Sequence, residues 1–245
     1  RAAVEAAVEY GRQQEDYRGV RFIGIDEISR KKGHTYHTNV YDLERKRLIW
    51  SGAHRDRDSL RRFFDWWGPE RTAALEGVCC DMWQKYIDVI DEYCGNSVIV
   101  FDKFHIIRHL MEAIDEVRKM EAKVLAEAGC TVLKGTRYLW LKNPWNLTEM
   151  QKITLSGLLK SHYKIVRAYL LKELFRKLWD YTSKAWAEKY LQRWFWWATH
   201  SRLKPLRDFA WMLRRHQTGI LAYFNLRIDN GIVEAMNNHA KVISH

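Results

Sequence analysis

Three acids stand where a carboxylate calls for a reason. Asp26 closes the apolar run "VRFIGID", Asp81 closes "GVCCD", and Glu234 lies in "NGIVEAMNNHAKVI". Carboxylate oxygens are hard ligands suited to Mg²⁺ or Mn²⁺. Two carboxylates about 4 Å apart repel by roughly 4 kcal/mol at an effective dielectric of 20, so a cluster of three calls for protons or cations. Two such cations, about 3.5–4 Å apart, activate a nucleophile and stabilise the leaving oxygen in an in-line phosphoryl displacement. A lone strand-end aspartate is more often a solvated turn residue or a helix cap, so the reading depends on the three being brought together. Glu27 reads as solvated, because it alternates to the other face of its strand. Asp102, in "VFDKFH", competes for a role: it could cap the next helix, line the edge of the site, or support His105. His105 and His109 lie four apart on a helix. With no cysteine or carboxylate pattern beside them, they read as a surface or packed pair.

The elements around these acids follow from periodicity. Residues 1–15 are rich in Ala and Glu and read as the tail of a helix. Segments 20–28, 34–43 and 47–54 read as strands, separated by the turn-like "SRKKG" and "ERK". Residues 55–68 read as a helix with Leu60, Phe63, Phe64 and Trp67 on one face, stopped by Gly68-Pro69. A fourth strand is expected in "LEGVCCDMW", a helix in "QKYIDVIDEYCG" and a fifth strand over 97–103. From Ile107 onward Leu110, Met111, Ile114 and Val117 keep helical spacing. Residues 129–148 are expected to hold strand or loop, and 150–227 to be helical. The order β-β-β-α-β-α-β matches a ribonuclease H-like α/β fold, a mixed five-stranded sheet with flanking helices. In such a sheet strands one and four are neighbours, which sets Asp26 beside Asp81, and a helix across the sheet could bring Glu234 to them.

The balance of the chain points to a polyanion. Lys and Arg outnumber Asp and Glu by 41 to 30, a net charge of +11 over 245 residues, and nucleic acid is the usual partner for such a surplus. An uninterrupted apolar run of spanning length and a secretory leader are both lacking, which argues against a membrane. Cys79, Cys80, Cys94 and Cys130 form no CxxC pair and read as structural thiols of a reducing compartment. The chain opens at Arg1 and stops at His245 in mid-pattern, which reads as a piece of a longer protein.

The blocks "IGIDEISRKKGHTYHTNVYDL", "GPER", "DMWQKYI", "VIVFDKFHIIRHLMEAIDEVRK", "KGTRYLWLKNPWNLT" and "NGIVEAMNNHAKVI" occur in order across nearly the whole chain. Together they resemble the DDE transposases of bacterial insertion sequences, specifically the ISL-three type. The resemblance implies a ribonuclease H-like core interrupted by a large all-α insertion before the last catalytic helix. On that reading residues 1–18 are the tail of an N-terminal DNA-binding region, 19–110 the first part of the core, 111–227 the insertion and 228–245 the returning helix. It assigns Asp26, Asp81 and Glu234 to catalysis and to Mg²⁺ or Mn²⁺, two ions in all. Asp102 and His105 stay candidates for a supporting role behind them, beside the capping and edge readings given above. It implies cleavage of DNA by a metal-activated water, then direct joining of the freed 3′-hydroxyl to target DNA with no covalent enzyme intermediate. The partners implied are double-stranded DNA, as terminal inverted repeats and target, and a second copy of the chain on paired ends. The setting implied is the bacterial cytoplasm and nucleoid. Full-length relatives carry a zinc-binding segment and a helix-turn-helix module, of which at most the final helix remains in residues 1–11. The chain also ends 11 residues after Glu234.

Lys160, Lys164 and Arg167 are expected on one helix face, and Arg202, Lys204 and Arg207 crowd another segment; both suit phosphates. Lys241, seven residues after Glu234, shares its helix face and could meet a phosphate near the site. Eight of the twelve tryptophans fall between 140 and 211. Most are expected in the core, with one or two stacking on bases. "RWFWW" is the leading source and Trp196 the candidate within it. A nuclease that cuts without joining, and a DNA-binding protein without chemistry, are the alternatives.

Overall fold

The computed structural model describes residues 16–31 and 35–231. The helix expected over 1–15, the first part of the 34–43 strand, the helix carrying Glu234 and the Lys241 position lie wholly or partly outside the described residues. The chain divides into two compact units, the first running to Ile99 and the second spanning Val100–Gly231.

In the first unit β1 (Phe22–Lys31), β2 (Thr35–Asp42) and β3 (Arg47–Ala53) form an antiparallel meander. β4 (Gly77–Cys80) joins β1 in parallel, and β5 (Val98–Phe101) completes the order β3-β2-β1-β4-β5. The sheet is therefore five-stranded and mixed, as the order of segments predicts. Alternation buries Ile23 and Ile25 on β1, whereas β4 is buried at all four positions, the pattern of a parallel strand covered on both faces. Helix α1 (Arg57–Trp67) starts where the Asp56 carboxylate accepts a hydrogen bond from Ser59 N at 2.7 Å. Leu60, Phe63, Phe64 and Trp67 are all buried on one face, as their spacing predicts. Gly68, at φ 86°, ends the helix in a conformation that suits glycine, and Pro69 opens the short α2 (Pro69–Ala73). Helix α3 (Gln84–Tyr93) follows β4.

Beyond the end of β5 the second unit is helical: α4 (Lys103–Glu127), α5 (Arg137–Leu141), α6 (Glu149–Leu159), α7 (Lys164–Arg176), α8 (Lys184–His200), α9 (Lys204–Arg215) and α10 (Gln217–Leu226). No strand occurs within residues 129–148, where strand or loop was expected; a turn, α5 and a short 3-10 segment fill it. The core gathers Phe175, Trp194 and Phe209, with ring centroids 4.8–5.9 Å apart. The long α4 packs on α7 and α9.

Asp115 is one of the buried charges of this unit. It meets Arg118 at 2.7 Å and Lys119 and Arg137 at 3.3 Å, which ties α4 to α5. Burial pushes its carboxyl up, but hydrogen bonds from Arg118 and Lys119 and the nearby positive charges outweigh this, and the net shift is downward. A carboxyl lowered in the folded state stabilises the fold above its unfolded pKa of about 3.9 and loses that contribution as pH falls through the folded value. Melting temperature should therefore fall below about pH 4, and Asp115→Asn should flatten that acid limb while costing about 3 kcal/mol at pH 7. Thermal scans across pH check this; an unchanged acid limb in the variant would assign acid sensitivity elsewhere.

Candidate functional site

The parallel register pairs Phe22 with Gly77, Ile23 with Val78 and Gly24 with Cys79. Counting two residues further along each chain brings Asp26 level with Asp81, just past the end of β4. Asp26 does not end its strand, as its apolar run suggested: β1 continues through the expected "SRKKG" turn to Lys31 because β2 pairs with it along that stretch. On the other side of β1, Asp26 pairs with Asn39 and Glu27 with Thr38 of β2. Asp81 is buried, and its Oδ1 accepts a hydrogen bond from Met82 N at 2.7 Å, which fixes the turn out of β4. Burial pushes the Tyr41 phenol up to about 12 against a hydrogen bond from Asn39, with the Asp26 charge adding a smaller push.

The expectation that Glu27 is solvated is wrong. Its side chain is only 10% exposed, and Arg55 Nε lies 2.9 Å from its Oε1 in an ion pair too poorly aligned to be a hydrogen bond. The same guanidinium reaches Asp81 Oδ2 at 3.7 Å and lies over the Trp83 ring at 4.7 Å. Burial raises the Glu27 carboxyl above its ordinary value. Arg55 and the Tyr86 hydroxyl work against that rise, while the charges of Asp26 and Asp81 add to it. Tyr86 is itself buried, with its hydroxyl 3.0 Å from Thr38 Oγ1, and burial together with Glu27 pushes its phenol upward. Period-two alternation missed Glu27's partners because they are distant in sequence: Arg55 follows β3, and Tyr86 comes from α3.

Arg55 is placed by a backbone exception. His54 has φ 76°, in the left-handed region that costs a non-glycine residue energy. Two hydrogen bonds hold it there, His54 N to Tyr36 O and Thr38 Oγ1 to His54 O, both 2.8 Å. The strand exit is thereby turned so that Arg55 stands among the acids.

The donor set here suits a hard divalent cation: carboxylates on adjoining segments, Asp26 on β1 and Asp81 just past β4. Among the described residues no three His, Cys, Asp or Glu side chains are placed to hold a metal together, and Glu234 lies outside them. In the second unit Asp102 caps α4, accepting from Phe104 N at 3.3 Å, and its other oxygen lies 3.0 Å from His105 Nδ1. The strand expected over 97–103 accordingly ends at Phe101.

Nearly all of the net charge belongs to the helical unit. Residues 100–231 hold 24 Lys and Arg against 12 Asp and Glu, whereas residues 1–99 hold 16 against 17. Lys160, Lys164 and Arg167 do not share one helix. α6 ends at Leu159, where Ser161 Oγ turns back to donate to Leu158 O at 2.7 Å, and α7 starts only at Lys164. Lys164 and Arg167 are exposed on α7, but the amides of Lys164 and Ile165 are already taken by Glu121 at 2.7 and 2.8 Å. Arg202, Lys204 and Arg207 are exposed around the start of α9, with Lys204 paired to Asp208 at 2.6 Å. Nor are most of the eight tryptophans core. Trp140, Trp179 and Trp194 are buried, but Trp145, Trp186, Trp196 and Trp211 are exposed. Trp196 is 57% exposed and stacks on His200 at 4.5 Å.

A five-stranded mixed sheet with acids on adjoining segments, and a strongly basic helical unit, define an α/β protein whose positive charge is concentrated in its helices. The chain belongs to the transposase family of the ISL-three DDE type, whose profile, described as Transposase, matches residues 23–245. It is 31% identical over 234 residues to the transposase for insertion sequence element IS1001 of Bordetella parapertussis, covering 94% of this chain and 58% of that protein. It is 31% identical over 251 residues to the transposase for insertion sequence element IS1557 of Mycobacterium tuberculosis, covering 93% of this chain and 56% of the relative. The chain thus spans a little over half the length of these relatives. No solved structure matches it. Among the described residues no helix is long and apolar enough to cross a membrane.

Proposed function

We propose that this chain is the catalytic portion of a DNA transposase, a ribonuclease H-like core whose helical insertion, residues 111–227, precedes a returning helix with Glu234. The observation that supports the reading best is the β1–β4 register, which, carried two residues beyond the Gly24–Cys79 pair, reaches Asp26 and Asp81 in a chain matched along most of its length to the transposase family. Asp26, Asp81 and Glu234 would hold two divalent cations, Mg²⁺ or Mn²⁺. Such ions supply activation of the attacking oxygen and stabilisation of the leaving oxygen during phosphoryl displacement. Arg55 supports the carboxylates from the protein side, its guanidinium braced on Trp83 and tethered by Glu27. The basic helical unit grips the sugar-phosphate backbone of element ends and target DNA, with steep salt dependence and little sequence information. Paired ends call for a homodimer, working at the bacterial nucleoid.

The test incubates the protein with supercoiled plasmid and a duplex bearing the exposed 3′-hydroxyl of its own element's end, with Mg²⁺ or Mn²⁺. Covalent joining of the duplex to the plasmid is the expected product. Nicking without joining would make it a hydrolytic nuclease using the same acids. Binding without either reaction would leave a DNA-binding protein and end the catalytic reading.

A further inference from the structure

The acids of the sheet have a cation of their own. Arg55 Nε lies 2.9 Å from Glu27 Oε1, and Arg55 Nη2 lies 3.7 Å from Asp81 Oδ2. Both carboxylate side chains are only 10% exposed. Withdrawn from water and close to one another, they repel unless a positive charge stands among them. Arginine suits that place, because it stays charged at any working pH and gives up its hydration more readily than an ammonium.

The manner of the contact matters as much as the charge. A guanidinium that grips a carboxylate does so through two parallel N–H···O bonds. Arg55 makes no such fork with either acid: its Glu27 contact is misaligned, and its Asp81 contact is beyond hydrogen-bond reach. The guanidinium is fixed instead by the Trp83 ring, 4.7 Å from its centre, and by the left-handed backbone of His54 before it. Trp83 is steadied in turn by Tyr86, whose ring meets it edge-on at 4.8 Å. Arg55 thus supplies charge to the acids without consuming the lone pairs a metal needs.

We propose that Arg55 is a resident counter-cation, a positioning residue that holds Glu27 and Asp81 together before a divalent cation arrives and sets how tightly that cation binds. The proposal rests on the reading of Asp26, Asp81 and Glu234 as metal ligands. The positive charge that relieves repulsion among the acids also repels an arriving Mg²⁺ or Mn²⁺. Stability without metal and affinity for metal therefore oppose each other through one side chain.

The test measures Mn²⁺ affinity by calorimetry and melting temperature in the presence of chelator. Arg55→Gln should bind Mn²⁺ about tenfold more tightly than the unaltered protein, yet melt at a lower temperature without metal. Arg55→Lys keeps the charge and should stay within about threefold in Mn²⁺ affinity. Adding Asp81→Asn to Arg55→Gln should recover part of the lost melting temperature, whereas an arginine that only packs on Trp83 would give additive effects. Lys85→Ala removes the other cation over the Trp83 ring, 5.1 Å from its centre, and should leave Mn²⁺ affinity within about twofold. Mn²⁺ affinity unchanged or weaker in Arg55→Gln would overturn the proposal. So would equal tightening in Lys85→Ala, or additivity between Arg55 and Asp81. Failure of the metal reading itself looks different: the unaltered protein and Asp81→Asn would bind Mn²⁺ alike, and the proposal would fall with it. Binding lost in Asp81→Asn but unchanged in Arg55→Gln would remove only the role of Arg55.

Discussion

Asp81→Asn should lower DNA strand cleavage by at least about a thousandfold, roughly 4 kcal/mol of transition-state stabilisation, while leaving the fold intact. An asparagine oxygen can still accept the hydrogen bond that Met82 N makes to Asp81 Oδ1. The substitution also removes a negative charge that pushes the buried Glu27 carboxyl upward. Thermal stability without metal should therefore hold or rise slightly, while Mn²⁺ binding, followed by calorimetry, is lost. Loss of activity from a misfolded variant would instead show as a lower melting temperature. Cleavage within about tenfold of the unaltered protein would remove Asp81 from the chemistry and leave it as a turn residue.

Trp194→Ala carries the largest expected cost to stability, about 3–5 kcal/mol. Trp194 is fully buried, packs against Phe175 at 4.8 Å and Phe209 at 5.9 Å, and donates its N–H to Leu171 O at 2.8 Å. The alanine variant opens a cavity among three helices and loses that hydrogen bond. Trp194→Phe keeps most of the volume and should lose about 1 kcal/mol for the N–H. Urea unfolding followed by helical circular dichroism measures both, with the exposed Trp196→Ala expected within about 0.5 kcal/mol of the unaltered protein. Equal losses for the phenylalanine and alanine variants would mean that the hydrogen bond, not the packing, holds this core.

Local rules reached the elements but not the partners across them. The buried face of α1 was legible because Leu60, Phe63, Phe64 and Trp67 repeat at helical spacing, and β4 because a short unbroken apolar run suits a covered parallel strand. The tryptophans of α8 were also within reach: Ala187, Leu191, Trp194 and Ala198 form its buried stripe, and Trp186 and Trp196 fall off it. Counting tryptophans by composition hid this. The break between α6 and α7 depends on one serine hydroxyl turning back on its own helix, which a periodicity window does not register. Glu27 was misjudged because burial within an open-faced strand depends on what folds over it, here an arginine 28 residues further along, held by the unusual backbone of His54.

The uneven distribution of charge has a consequence for how such a protein can change. With residues 1–99 almost electrically balanced and residues 100–231 carrying the surplus, grip and chemistry, on the function proposed above, would be written in different stretches of sequence. Substituting exposed lysines and arginines of the helices should then alter how long DNA is held and how salt loosens it, with the carboxylates of the sheet left as they are.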